Sequence, residues 1–274
     1  MIYAGVSRNI LRSDNMVRGL YTAWTGLRNE ERRMDVVTNN MANADTTGFK
    51  KIDATSQSFA RQLAVKIDDN TEGPNIKRGL GGVALGTKIG ETFYDMSQGG
   101  FRETGDVYNV AIGGSGFFTI RMTDKEGNDH IRYTRDGDFT VTKEGFLQTK
   151  DGDSVLDENG NPIQIPDANF VDVAISETGD IYANNNYIAT IGLTDFESYD
   201  FLSSYGENMY EAVDGATRIP ANATLTQGYL EMSNVNMVTE MVDMIAITRA
   251  YETNQKMVQT IDDILEKTVT IGQV

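Results

Sequence analysis

Apolar residues repeat with a different period in three stretches of the chain. Between Met16 and Asn43, Leu20, Leu27, Met34 and Met41 recur every seven residues, with Trp24 and Val37 between them. Residues three and four apart share one face of a helix, so this spacing predicts an amphipathic helix with a single apolar stripe. Arg28, Glu30, Glu31, Arg32 and Arg33 supply a charged opposite face. Asp45-Thr46-Thr47-Gly48 is expected to stop the helix, with Gly48 free to take a positive φ.

Between Val235 and Val269, Met237, Met241, Met244, Thr248, Tyr251, Gln255, Val258, Asp262, Leu265 and Val269 step alternately by four and three. That is a heptad register, although several of its positions are polar. Val238, Val242, Ile245 and Ile264 widen the stripe, and Glu252 with Lys256 forms a favourable pair one turn apart. About 35 residues at 1.5 Å each make a rod of ~50 Å. Such a helix has little of its own chain to pack on except the other end. The two end helices are therefore expected to pair as a coiled coil. The expected seam is Leu20, Trp24, Leu27, Met34, Met41, Met237, Met241, Met244, Tyr251, Val258 and Leu265.

The middle reads as β-structure. All four prolines (Pro74, Pro162, Pro166 and Pro220) fall there. Turn signals follow one another at Gly127-Asn128, Asp136-Gly137, Glu144-Gly145, Asp151-Gly152, Asn159-Gly160 and Gly179-Asp180. Between them lie strand-like runs at 107–112, 116–120, 139–141, 169–175 and 187–193. Short strands with tight turns point to a barrel or sandwich. The expected fold class is α+β, a mainly-β central domain flanked by amphipathic helices. Its expected parts are an extension over 1–15, a helix and loop over 16–50, a β-rich domain over 51–228 with a glycine-rich segment near 66–95, and a helix over 229–274.

Composition narrows the function classes. The 274 residues carry a formal charge of −16, which repels a phosphate backbone and makes nucleic acid a poor partner. With no cysteine, disulfides, thiolate zinc sites and cysteine nucleophiles are ruled out. No run approaches the apolar length of a membrane span, and the first residues lack the pattern of a cleavable signal peptide.

Candidate chemistry is thin. His130, the one histidine, sits in a turn-like context and reads as a surface residue. Gly113-Gly114-Ser115-Gly116-Phe117 has Phe117 where a nucleophile elbow needs its last glycine. Gly79-Leu80-Gly81-Gly82-Val83-Ala84 fits a loose dinucleotide pattern without the preceding strand, and reads as a flexible loop. The acidic stretch from Asp151 to Asn161 matches a calcium loop in no register, because Leu156 or Pro162 falls on the required glycine. No catalytic, cofactor-binding or metal-ligating residue is expected. Paired carboxylates for a hydrolase carry no signal among 40 acidic residues.

Two segments carry a resemblance. Thr38-Asn39-Asn40-Met41-Ala42-Asn43-Ala44-Asp45-Thr46-Thr47-Gly48-Phe49-Lys50 is similar to the N-terminal signature of flagellar rod and hook proteins. Ser233-Asn234-Val235-Asn236, followed by Arg249-Ala250-Tyr251-Glu252, resembles their C-terminal one. The runs 106–112, 116–118 and 133–137 resemble the shared β-domain. Size and central segment look most like the distal-rod members, with the proximal-rod members second.

The resemblance implies a structural subunit of the flagellar basal body. It implies export unfolded through the flagellar type III apparatus, and assembly with copies of itself and with other rod and hook proteins. The product is a helical tube that transmits torque from motor to hook. The signature residues Asn39, Asn40, Met41, Ala42, Asn43, Thr46, Gly48, Phe49, Lys50, Ser233, Asn234, Val235, Asn236, Arg249 and Tyr251 are then assembly candidates. The asparagines either cap the chain turn or bond between subunits; both readings stand. Met1 to Asn15 precedes the usual family start, either as a real extension or through a wrongly chosen upstream start codon, and the polar, glycine-rich segment between Lys50 and Asp95 is expected to wedge between subunits and stiffen the rod. An extracellular β-domain binding module is the reading from another class, but it has no use for two patterned terminal helices.

Overall fold

A computed structural model of the chain describes residues 3–66, 78–84, 86–124, 127–166, 173–206 and 208–272. Of the segment expected to act as a wedge, 67–77 and 85 lie outside these residues, and so do 169–172 of the expected strand. The fold is α+β, with long helices α1 (Tyr3–Ala42) and α2 (Met237–Gly272) at the two ends and strands between. The chain divides into two compact units. One holds Met1–Asn39, Ile52–Phe93 and Val238–Val274; the other holds Asn40–Lys51 and Tyr94–Met237.

In the helical unit, α1 and α2 run side by side and antiparallel. A Cβ on Gly19 would sit 3.5 Å from the Ile261 side chain, and one on Gly26 would sit 2.9 Å from Asn254 Nδ2. Moving seven residues forward on α1 thus moves seven back on α2. Glycine at position 26 is what allows the backbone of α1 to approach so closely. On α1 the buried or half-buried positions include Leu20, Ala23, Leu27, Glu30, Met34 and Val37. A second buried row, Thr25 and Asn29, faces strand residues, Asn29 Nδ2 donating to Ser56 Oγ at 3.0 Å.

The burial on α2 departs from the expected register in one of its two series. Met237, Met244, Tyr251, Val258 and Leu265 are half-buried. The positions between them that turn inward are Glu240, Ile247, Asn254 and Ile261, each one residue before the expected Met241, Thr248, Gln255 and Asp262. Met241 is 47% exposed and Trp24 51%. Val238, Val242, Ile245 and Ile264 are also exposed. Stepping by three and then four, rather than four and then three, buries isoleucine in place of threonine and aspartate, which favours the observed phase.

The strands Ile52–Ser58 and Thr87–Tyr94 pair with each other, and so do Gln62–Lys66 and Arg78–Val83. The glycine-rich run expected as a loop is therefore a strand: Gly79, Gly81 and Gly82 stand opposite Val65, Ala64 and Leu63. The ladder is made by backbone groups, so it forms without side chains.

The β-rich unit carries the main core. Among the described residues nine strands share one sheet, with Phe117–Thr123 at its centre. This strand pairs with Asp129–Thr134 on one side, and with Ser154–Val155 and Leu193–Phe196 on the other. Consecutive residues of a strand point to opposite faces. Phe118 and Ile120 enter a cluster with Val110, Ile112, Phe139, Leu147, Val155 and Ile163, while Phe117 joins Tyr133, Phe196 and Tyr210 on the other face. At this strand the sheet is buried on both faces, and the Phe117-Phe118 doublet expresses that.

The strand over 139–141 lies where the pattern predicts it. The run from Val107 begins its strand only at Val110, because Asp106 Oδ1 and carbonyl oxygen accept from the Tyr108 and Asn109 amides and hold a turn. The run 187–193 splits, since the Gly192 amide donates to the Leu156 carbonyl between strands Asn186–Thr190 and Leu193–Phe196. His130 is half-buried within strand Asp129–Thr134, not in a turn. In the acidic stretch, Asp157 Oδ1 accepts from the Asn159 and Asn161 amides at 2.9 and 2.7 Å, closing a hairpin turn.

Candidate functional site

The β-rich unit brings the two signatures together. After Ala42 the chain leaves α1 through tight turns, the Asn43 amide reaching the Asn40 carbonyl and the Thr46 hydroxyl donating to Asn43 Oδ1 at 3.2 Å. Gly48 has φ 67°, and a Cβ there would meet the Asp136 amide nitrogen at 2.5 Å. Only glycine fits both the left-handed backbone and the close approach. The turn aims Phe49 and Lys50 inward, and both are buried.

Lys50 is wholly enclosed. Its Nζ donates to Glu231 Oε1 at 2.6 Å and to the Ser97 carbonyl at 2.8 Å. Glu231 is equally enclosed and takes two further donors, the Gly99 amide on Oε1 at 3.0 Å and Arg135 Nη1 on Oε2 at 3.3 Å. Burial holds the Lys50 ammonium below the usual lysine range, with the Glu231 carboxylate offsetting part of the effect. The Arg135 guanidinium lies 5.3 Å over the Phe117 ring, which ties the cluster to the aromatic core. Burial likewise raises the Asp136 carboxyl, against a hydrogen bond from the Thr47 hydroxyl.

The C-terminal signature closes the same junction. Asn234 Oδ1 accepts from the Lys51 amide at 2.8 Å, while its Nδ2 donates to the Asp95 carbonyl at 2.8 Å and to Ser97 Oγ at 3.0 Å. The Gly48 amide donates to the Glu231 carbonyl, the Asp95 amide to the Lys51 carbonyl and the Met232 amide to the Gly100 carbonyl. Ser233 Oγ accepts from the Val235 amide at 3.2 Å. Asn40 is buried, Met41 and Asn43 are half-buried, and Ala42 is exposed.

Not every signature residue reaches this junction. Asn39 belongs to the helical unit, as do Arg249 and Tyr251. Asn236, just before α2, is exposed. Conversely, Glu231 and Arg135 are central although neither stood out as a candidate in the chain. Arg135 sits in the Tyr133-Thr134-Arg135-Asp136-Gly137 run noted for its resemblance alone. The one usable signal for Glu231 is its place as a lone acid closing the Tyr229–Glu231 strand next to Ser233-Asn234.

The junction is equipped to hold chain segments in register. The Lys50 ammonium and the Glu231 carboxylate are taken up by each other, by Arg135 and by backbone groups, so what the junction offers is fixed geometry.

Comparison with known proteins matches this arrangement. Residues 20–50 match the family described as flagella basal body rod protein, 111–183 the flagellar hook protein FlgE/F/G D1 domain, and 226–271 the flagellar basal body rod FlgEFG protein C-terminal family. The flagellar basal-body rod protein FlgG of Bacillus subtilis is 33% identical across 93% of this chain and 99% of its own length. The FlgG of Borreliella burgdorferi is 34% identical across 91% and 97%. The flagellar basal-body rod protein FlgF of Caulobacter vibrioides is 32% identical across 93% and 97%. With matched segments at both signatures and in the β-rich unit between them, the chain belongs to the flagellar basal-body rod protein family, a structural subunit of that rod.

Proposed function

We propose that this chain is a distal-rod subunit. It assembles with copies of itself, and with other rod and hook proteins, into a helical tube that carries torque from motor to hook. In this reading α1 and α2 pair as a coiled coil. The subunit is exported unfolded through the flagellar type III apparatus and works in the cell envelope. It performs no catalytic step and holds no cofactor.

The observation that carries this reading is the second apolar face of α2. Its inner face buries Ile247 and Ile261, yet Val238, Met241, Val242, Ile245, Met257 and Ile264 stand between 45% and 70% exposed. Val238, Met241, Val242 and Ile245 lie on neighbouring turns at the start of α2, and exposed apolar side chains grouped in this way mark an interaction surface. Tyr21 and Trp24 on α1, with ring centroids 6.1 Å apart, are exposed as well.

Electron microscopy of the purified chain at rising concentration tests the proposal. Helical rods or tubes are expected, and a persistent monomer would overturn it. A proximal-rod position is the second reading, favoured by the similarity to Caulobacter FlgF over 93% of this chain. Labelled antibodies on isolated basal bodies separate the two by where they bind along the rod.

A further inference from the structure

The β-rich unit buries three charges with one negative group among them. Lys50 and Glu231 side chains have no exposed surface, and Arg135 is 3% exposed. As a stabiliser this is a poor arrangement. Charges taken from water lose more in hydration than their attraction returns unless every donor and acceptor is met. Here one carboxylate serves two cations, and the Arg135 Nε has no hydrogen-bond partner. Apolar side chains of similar size would fill the same space without that penalty.

What the cluster does supply is uniqueness. The surrounding contacts are backbone hydrogen bonds: Gly48 amide to Glu231 carbonyl, Asp95 amide to Lys51 carbonyl, Met232 amide to Gly100 carbonyl. Such bonds are nearly indifferent to sequence, and extended segments joined by them slip register easily unless side chains forbid it. A slip of one residue would set Phe49 or Lys51 in the place of Lys50. With Phe49 there, the Glu231 carboxylate would keep Arg135 but face an apolar ring. With Lys51 there, the Asn234 bridge between the Lys51 amide and Asp95 would break. Only the observed register meets the Ser97 carbonyl, the Gly99 amide and both carboxylate oxygens at once.

We propose that the Lys50–Glu231–Arg135 cluster is a register lock. It fixes which residue of the arm following α1 stands beside which residue of the arm preceding α2, at a cost in stability. Glu231 is the essential member, because each cation is held only by it and by weaker contacts. One cation is enough to satisfy the lock, and Lys50 is that cation, since it alone reaches both Glu231 and the Ser97 carbonyl.

The inference concerns the join itself and is read without assembly. Amide hydrogen exchange and thermal melting of the full chain test it. Three proteins are compared: native, Arg135→Met, and the triple variant Lys50→Met/Arg135→Met/Glu231→Leu. The triple variant is expected to melt at or above the native temperature. Its Gly48, Asp95 and Met232 amides are expected to exchange at least about tenfold faster, while Leu147 and Ile163 in the sheet stay protected. Arg135→Met is expected to keep native exchange at all of these positions. A triple variant that melts well below the native protein, or fails to fold, would show the cluster to be a stabiliser and overturn the proposal. Native protection at Gly48 and Asp95 in the triple variant, or lost protection in Arg135→Met, would overturn it equally.

Discussion

Gly48 and Lys50 stand two residues apart and do different work in the same turn. Gly48 supplies a backbone shape that other residues adopt at a cost. Lys50 supplies a charge that the interior admits only because Glu231 meets it. Gly48→Ala combines left-handed strain with a clash at Asp136, and is expected to cost about 2–4 kcal/mol in chemical denaturation. Glu231→Gln leaves two buried cations without their carboxylate, and a loss of about 3–5 kcal/mol is expected in the same measurement.

The depressed ammonium of Lys50 also gives a signed pH dependence. Between its folded value and the ordinary 10.5, the unfolded chain binds more protons than the folded one, so the Lys50 contribution to stability rises with pH there. Below that window the full cost of burying the charged form is present. The native protein is therefore expected to gain on Lys50→Met as pH is raised through this range, read as the difference in Tm between the two. A constant difference would contradict the assignment. Gly48 was readable from the chain because an Asp-Thr-Thr-Gly stop has a local cause. The partnership of Lys50 with Glu231 was not, because the residues are 181 positions apart and the sequence carries no mark of their burial.

At the scale of elements, both helices were legible and their contact face was only half so. Starting from Met237, a heptad can step by four first or by three first. The first choice collects Met241, Thr248, Gln255 and Asp262; the second collects Glu240, Ile247, Asn254 and Ile261. Apolar residues surround the first turns of α2, so periodicity alone did not separate the two. Packing does, with Ile247 2% exposed and Met241 47%. Ile247→Ala is expected to cost about 2–4 kcal/mol in the melting of the monomer, by cavity formation. Met241→Ala is expected to stay within about 0.5 kcal/mol, as an exposed substitution away from caps and charges. Equal losses would contradict the phase.

The strands tell a similar story. Phe139–Val141 sits between tight turns and was visible. The strand at 78–83 was hidden, because glycine carries no side chain by which a pleat can be recognised.

For the whole molecule, patterning separated helical ends from a β-rich middle but not the way the chain is shared between units. Residues 52–93 group with the helices, and the arms at 40–51 and 231–237 group with the β-rich unit. That division depends on long-range pairing, which no local period encodes. It also separates two tasks. The junction joins the arms next to the helices, and α2 leaves apolar side chains exposed.

On the proposed function, the exposed apolar side chains of α2 form the assembly surface. The chain has no cysteine, so Val242→Cys introduces a single thiol on that face, at a position 60% exposed in the monomer. The rate of its reaction with a maleimide, compared between monomer and sedimented assemblies, tests the claim most directly. Labelling at least about tenfold slower is expected in the assemblies, because the side chain is then buried against a neighbouring subunit. Equal rates in the two states would contradict it.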